Sequence, residues 1–104
     1  MMRGAAPLAL AALAACAPVQ DRLARDAARA TIRPVLAEQF PGVPLEPATD
    51  CIIDNATGRE LTRLALDAAR PAPDPDTAAL IIEIATRPAT LRCLTTTGLA
   101  PFLR

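Results

Sequence analysis

Three cysteines and a handful of carboxylates are the residues of this sequence whose types could do chemistry. Its 104 residues include Cys16, Cys51 and Cys93 but no His, Ser, Lys, Tyr or Trp. Those absences exclude a Ser-His-Asp triad and a Cys-His pair, and they remove the commonest metal ligand. We therefore expect no metal and no cofactor. The formal net charge of zero argues against a nucleic-acid partner.

The carboxylates offer weak candidates for acid/base catalysis. Asp50 and Asp54 are four residues apart and would share a helix face, and paired carboxylates can act as acid and base when their pKa values differ. Glu60 is a third candidate. Helix capping explains Asp50 and Glu60 more simply, and Glu83, within an apolar segment, can pair with Arg87. We expect no catalytic residue and no enzymatic activity.

The N-terminal residues have the pattern of an export signal. Arg3 precedes an apolar run from Ala5 to Ala15, which is too short to span a bilayer but matches the core of a secretory signal. The run ends Leu13-Ala14-Ala15-Cys16, which resembles the lipobox of bacterial lipoproteins. The alternative is an ordinary secretory signal cut after Ala14 or Ala15, which would leave Cys16 as a free thiol.

The lipobox resemblance implies cleavage before Cys16 and lipid (palmitate-type) modification of that cysteine. The chain would then be anchored in the cell envelope facing the periplasm, and Ala17 favours the outer over the inner membrane. Residues 16–19 and the Phe40-Pro41-Gly42-Val43-Pro44 segment also resemble a loose set of short, uncharacterised alphaproteobacterial lipoproteins. That second resemblance implies no activity.

Lipidation of Cys16 leaves Cys51 and Cys93, and an even remainder in an oxidising compartment predicts a disulfide. Closing a loop of this length contributes about 4 kcal/mol in the chain-entropy model, which a domain this small needs. A redox-active pair normally shows Cys-x-x-Cys spacing. We therefore expect a structural disulfide in preference to a redox or metal site.

The hydrophobic periodicity predicts an all-α fold, a compact bundle of about four short helices. We expect a signal peptide over residues 1–15, a lipidated tether over 16–20 and a small helical domain over 21–104. The first helix should kink or restart at Pro34, because proline lacks the amide donor. Pro41, Pro44 and Pro47 recur every three residues, which fits an extended crossover or, less simply, a polyproline recognition segment.

The remaining helices are predicted from capping signals. Residues 50–55 could form a single turn that carries Cys51, and a Thr57/Glu60 capping box opens the next helix. Asp74 with Pro75 predicts a helix through the apolar residues 78–85, for which a short buried strand is the alternative. A last helix over 89–96 should end at Gly98.

We expect a non-catalytic envelope lipoprotein that serves as a structural or protein-binding accessory. Its contact surface could use the apolar C-terminal residues Leu99, Phe102 and Leu103, unless these pack into the core. One alternative is a small periplasmic carrier of apolar ligands. Another is a stress chaperone, because the size, helicity and cysteine pairing resemble the small acid chaperones of the enterobacterial periplasm.

Overall fold

The computed structural model describes the backbone of residues 5–99 and 101, and the side chains of residues 19–99 and 101. This part of the chain contains five α-helices and no strand: α1 (Ala5–Gln39), α2 (Leu45–Asp54), α3 (Gly58–Asp67), α4 (Pro75–Ala85) and α5 (Pro88–Thr96). The expected all-α fold is confirmed. The apolar residues 78–85 are helical, so the strand alternative for them is wrong.

The first helix is longer than the sequence predicts. α1 begins at Ala5, includes residues 16–20 that we expected to form a tether, and does not restart at Pro34. Pro34 removes one backbone hydrogen bond, but Ile32, Val35 and Leu36 on either side of it are all buried. Their burial holds the helix together across the missing bond. At 35 residues, α1 is about 52 Å long.

The second helix corrects the expectation for the proline-rich segment. α2 has ten residues rather than a single turn, and Pro47 lies in its first turn instead of in an extended crossover. Proline is tolerated there because the first amides of a helix have no acceptor within it. The buried residues Ala48, Cys51 and Ile52 lie on one face of α2, and packing of this face stabilises the helix.

The capping signals of α3 and α4 are confirmed. Thr57 and Glu60 form a reciprocal capping box: the Glu60 amide donates to the Thr57 hydroxyl at 3.2 Å, and the Thr57 amide donates to the Glu60 carboxylate at 2.8 Å. Asp74 accepts a hydrogen bond from the Asp76 amide at 2.9 Å, and Pro75 occupies the first helical position. Such caps stabilise a helix by about 1 kcal/mol each.

One hydrophobic core lies between the helices, and a disulfide closes it. Its fully buried members come from four elements: Ala28 and Ile32 of α1, Ile52 and Ile53 of α2, Leu64 of α3, and Ile81 and Ile84 of α4. Cys51 and Cys93 are at disulfide distance, with the sulfur atoms 2.05 Å apart and the Cα atoms 5.6 Å apart. The predicted pairing is confirmed, and it joins α2 to α5.

Candidate functional site

An apolar groove is the most ligand-like concavity among the described residues. It has a volume of about 310 Å³ and is lined almost entirely by hydrocarbon: Leu36, Phe40, Val43, Ala48, Ile52, Ala85, Thr86, Leu91, Leu94 and Leu99. We call these ten residues the apolar groove. Small binding sites are commonly concave and apolar in this way, with volumes from about 300 Å³ upwards.

The turn after α1 shapes one end of the apolar groove. The Val43 amide donates to the Phe40 carbonyl at 3.2 Å, which closes a four-residue turn. Pro41 at its second position and Gly42 at its third, with φ of +88°, match a type II turn. Only glycine adopts that φ without strain. The turn therefore positions Phe40 and Val43 in the wall of the apolar groove.

The turn after α5 shapes the opposite wall. Gly98 has φ of +84°, and the Leu99 amide donates to the Leu94 carbonyl at 2.9 Å, while the Gly98 amide donates to the Thr95 carbonyl at 3.1 Å. These two bonds define a Schellman motif, as the sequence signal at Gly98 predicts. The motif turns Leu99 back against α5, where it is only 2% exposed.

The expected C-terminal contact surface is therefore only partly placed. Leu99 is a buried wall of the apolar groove and not a free contact residue. Phe102 and Leu103 lie outside the described residues. The exposed apolar side chains at this groove are instead Phe40 (39% exposed) and Leu91 (37% exposed). Hydrophobic periodicity in the sequence gives no signal that these two side chains remain accessible.

The disulfide connects two walls of the apolar groove. Cys51 precedes Ile52 on α2, and Cys93 precedes Leu94 on α5, so each half of the bridge is adjacent to a groove residue. Because the bridge fixes the distance between the two helices, it also fixes the width of the groove.

The candidate acid/base carboxylates lie in an interhelical ladder of ion pairs. Three arginines of α1 meet three acids of α2 in antiparallel order: Arg25 with Asp54 (3.2 Å), Arg29 with Asp50 (2.6 Å), and Arg33 with Glu46. The spacing is four residues on both helices. The expectation that Asp50 caps a helix is therefore wrong. Asp50 lies in the middle of α2 and pairs with Arg29 of α1. Asp54 also pairs with an arginine of α1, so both candidate acids are engaged in ion pairs between the two helices.

Glu60 forms the best-connected ion pair of the described residues. Arg87 donates to both of its carboxylate oxygens, at 2.9 and 2.6 Å, and to the Asn55 carbonyl at 3.0 Å. The Arg87 hydrogen bonds, with the Thr57 amide next in importance, lower the pKa of Glu60 to about 2. The same pairing raises the pKa of Arg87. The expected Glu83–Arg87 contact exists at 3.3 Å but is the more exposed of the two.

Three further expectations concern the lipidation site at Cys16, metal binding and membrane insertion. Cys16 lies within α1, and its side chain is outside the described set. Among residues with described placement, no three His, Cys, Asp or Glu side chains cluster as metal ligands would. No helix in that same part of the chain combines the length and hydropathy needed to cross a membrane.

Comparison with known proteins gives no relative from which a function could be transferred. No protein-family model, no curated protein and no solved structure matches the chain.

Proposed function

We propose that this protein is a lipid-anchored, non-catalytic accessory of the bacterial cell envelope that binds an apolar segment of a partner protein. The observation that carries the binding half of the proposal is the apolar groove, with Phe40 and Leu91 exposed at its edge. Aromatic side chains are enriched at protein–protein contacts, and the buried centre of such contacts is more apolar than the rest of the surface.

The anchoring half of the proposal depends on the Leu13-Ala14-Ala15-Cys16 sequence. The disulfide between Cys51 and Cys93 supports it, because such bridges persist in the periplasm and are rare in the cytosol. Multiple acyl chains on one cysteine give stable membrane attachment, which a single chain does not.

The dimensions of the apolar groove favour a protein segment over a larger ligand. A volume of about 310 Å³ is at the small end of the range for ligand pockets, and suits one or two apolar side chains of a docked helix or strand. The groove is lined by one polar residue, Thr86, so recognition would depend on shape and apolar contact.

Metabolic labelling tests the anchor. We expect a clickable palmitate analogue to label the protein in bacteria, and the protein to sediment with the outer membrane. Cys16→Ala should abolish both results, while Cys51→Ala should leave the label in place. An unlabelled wild-type protein that retains residues 1–15 would contradict the anchoring proposal.

Site-specific photo-cross-linking in cells tests the groove. A photoreactive residue at position 91 or 40 should give the same discrete cross-linked species. The matched control is position 23, because Leu23 is more exposed (64%) but does not line the groove. Equal cross-linking from position 23, or none from positions 40 and 91, would contradict a partner at the groove.

The same groove favours a second candidate, a carrier of small apolar ligands. Native mass spectrometry of the protein extracted from its envelope separates the two candidates. A second polypeptide supports the accessory role. A small noncovalent adduct that Leu91→Asp removes supports the carrier.

A further inference from the structure

A second concavity, lined mostly by charged and polar side chains, lies between α3 and the start of α4. It has a volume of about 390 Å³ and is lined by Arg59, Thr62, Arg63, Leu66, Asp67, Arg70, Asp74 and Thr77. We call it the arginine pocket. It shares no residue with the apolar groove, so an inference drawn from it does not depend on the proposed function.

Arg59 and Arg63 dominate the charge of the arginine pocket. They are four residues apart on α3, so they project from the same helix face. Neither makes an ion pair with a carboxylate among residues 19–99, whereas Arg25, Arg29 and Arg87 all do. Two neighbouring guanidinium groups without an acid repel each other, and an anion between them relieves that repulsion.

The acids in the arginine pocket cancel only part of this charge. Arg70 binds both of them, at 3.0 Å from Asp67 and 3.0 Å from Asp74. The Asp67 carboxylate also accepts a hydrogen bond from the Asp74 amide at 3.2 Å. The Asp76 amide lowers the pKa of Asp74, and Arg70 and then Arg63 add to this effect. The lining therefore holds three arginines against two acids, a formal net charge of +1, and Arg59 and Arg63 are the two of these arginines that make no ion pair among the described residues.

A hydroxyl group of α4 adds a hydrogen-bond donor to the site. Thr77 is only 3% exposed and lines the arginine pocket. Its hydroxyl is not one of the buried side-chain groups without a partner among the described residues, which are those of Arg29, Thr49 and Thr90, so it keeps access to the pocket. It can therefore donate a hydrogen bond to an oxyanion seated between Arg59 and Arg63.

We propose that the arginine pocket binds a phosphate group carried by a small organic molecule. Paired arginine forks match the tetrahedral oxygens of phosphate and bind them in a bidentate manner. The pocket is larger than one phosphate needs, and Leu66, which is exposed at its edge, offers apolar contact to the organic part. The phosphate could belong to a soluble phosphomonoester or to the headgroup of a lipid.

Titration with glycerol 1-phosphate, followed by amide chemical shifts at low ionic strength, tests the proposal. The protein is the full chain carrying Cys16→Ala. We expect saturable shifts on α3 and at the start of α4, and none with glycerol alone. Arg59→Gln with Arg63→Gln should weaken binding at least tenfold. Thr77→Val, which keeps the side-chain volume, should weaken it several-fold.

Arg92→Gln is the matched control, because Arg92 is also an exposed arginine without an ion pair among the described residues but lies outside the arginine pocket. It should leave binding unchanged. Unchanged circular dichroism will show that each variant folds.

Co-sedimentation with phosphatidylcholine vesicles containing phosphatidic acid separates the two sources of phosphate. Sedimentation that depends on Arg59 and Arg63 identifies a lipid headgroup. Binding of glycerol 1-phosphate without such sedimentation identifies a soluble ligand. No saturable binding to either probe, or equal weakening by Arg92→Gln, would overturn the proposal.

Discussion

Removing the disulfide should destabilise this domain strongly. The perturbation is the double substitution Cys51→Ala and Cys93→Ala in a chain that also carries Cys16→Ala, so that no third thiol can pair. The two cysteines are 42 residues apart. A loop of that length corresponds to about 4 kcal/mol of lost chain entropy in the unfolded state. A domain of this size has a total stability of roughly 4–12 kcal/mol, so the variant should be marginal.

Urea denaturation followed by far-ultraviolet circular dichroism is the appropriate assay, because the chain has no Trp or Tyr to report by fluorescence. With a slope of about 1 kcal/mol per molar urea, a loss of this size lowers the midpoint by about 4 M. The slope should also rise, because the unfolded chain expands when its cross-link is absent. Creation of a cavity alone would not change the slope.

Reduction of the intact cysteine pair is the internal control, and it should reproduce the curve of the double variant. If the double variant unfolds within about 1 kcal/mol of the oxidised protein, then the bridge does not close the fold as argued. A stability loss with an unchanged slope would instead assign the effect to packing around Cys51, which is buried.

Three smaller predictions follow from the ion pairs and turns. The pKa of Glu60, about 2 when folded against about 4.3 when unfolded, means that its pairing with Arg87 stabilises the fold above pH 4 and is lost as the pH falls towards 2. Glu60→Gln should therefore lower stability at pH 7 by about 1–2 kcal/mol but hardly at pH 2, as measured by urea unfolding at both pH values; an equal loss at the two would refute the assignment. Gly98→Ala should cost about 1 kcal/mol because of its positive φ, whereas Gly58→Ala, at a helical position with open space around it, should be neutral or stabilising in thermal unfolding. Asp50→Asn should cost only about 0.5 kcal/mol, since its ion pair is partly exposed, and a loss above 2 kcal/mol would show that the pair is far better shielded than its exposure indicates.

Local signals in the sequence predicted most of the helix boundaries. The Thr57/Glu60 box and the Gly98 stop each depend on residues within five positions of one another, so the sequence contains all the information. The disulfide was predictable by counting, because setting aside Cys16 as the expected lipidation site leaves two cysteines of three. The start of α2 was not, since Pro47 is compatible with both an extended segment and a first helical turn.

Features that depend on tertiary packing could not be predicted from the sequence pattern. The spacing of Arg25, Arg29 and Arg33 is visible, but their pairing with acids of α2 requires knowing that the two helices are antiparallel. The apolar groove likewise combines residues from four helices and from the segments that follow α1, α4 and α5. Periodicity identifies apolar side chains as a class and does not show which of them remain uncovered at a junction between elements.

The equal spacing of the α1–α2 ladder also affects the folding landscape. Because the rungs repeat every four residues on both helices, sliding α2 by one helical turn would preserve two of the three ion pairs. The electrostatic energy is therefore nearly degenerate between the native alignment and its nearest neighbour. Core packing and the disulfide distinguish the native alignment from the shifted one. The shift would carry Ile52 and Ile53 about 6 Å from their core contacts, and would move Cys51 out of reach of Cys93. Oxidation of Cys51 and Cys93 therefore selects the native alignment, because only correctly aligned helices bring the two thiols within bonding distance.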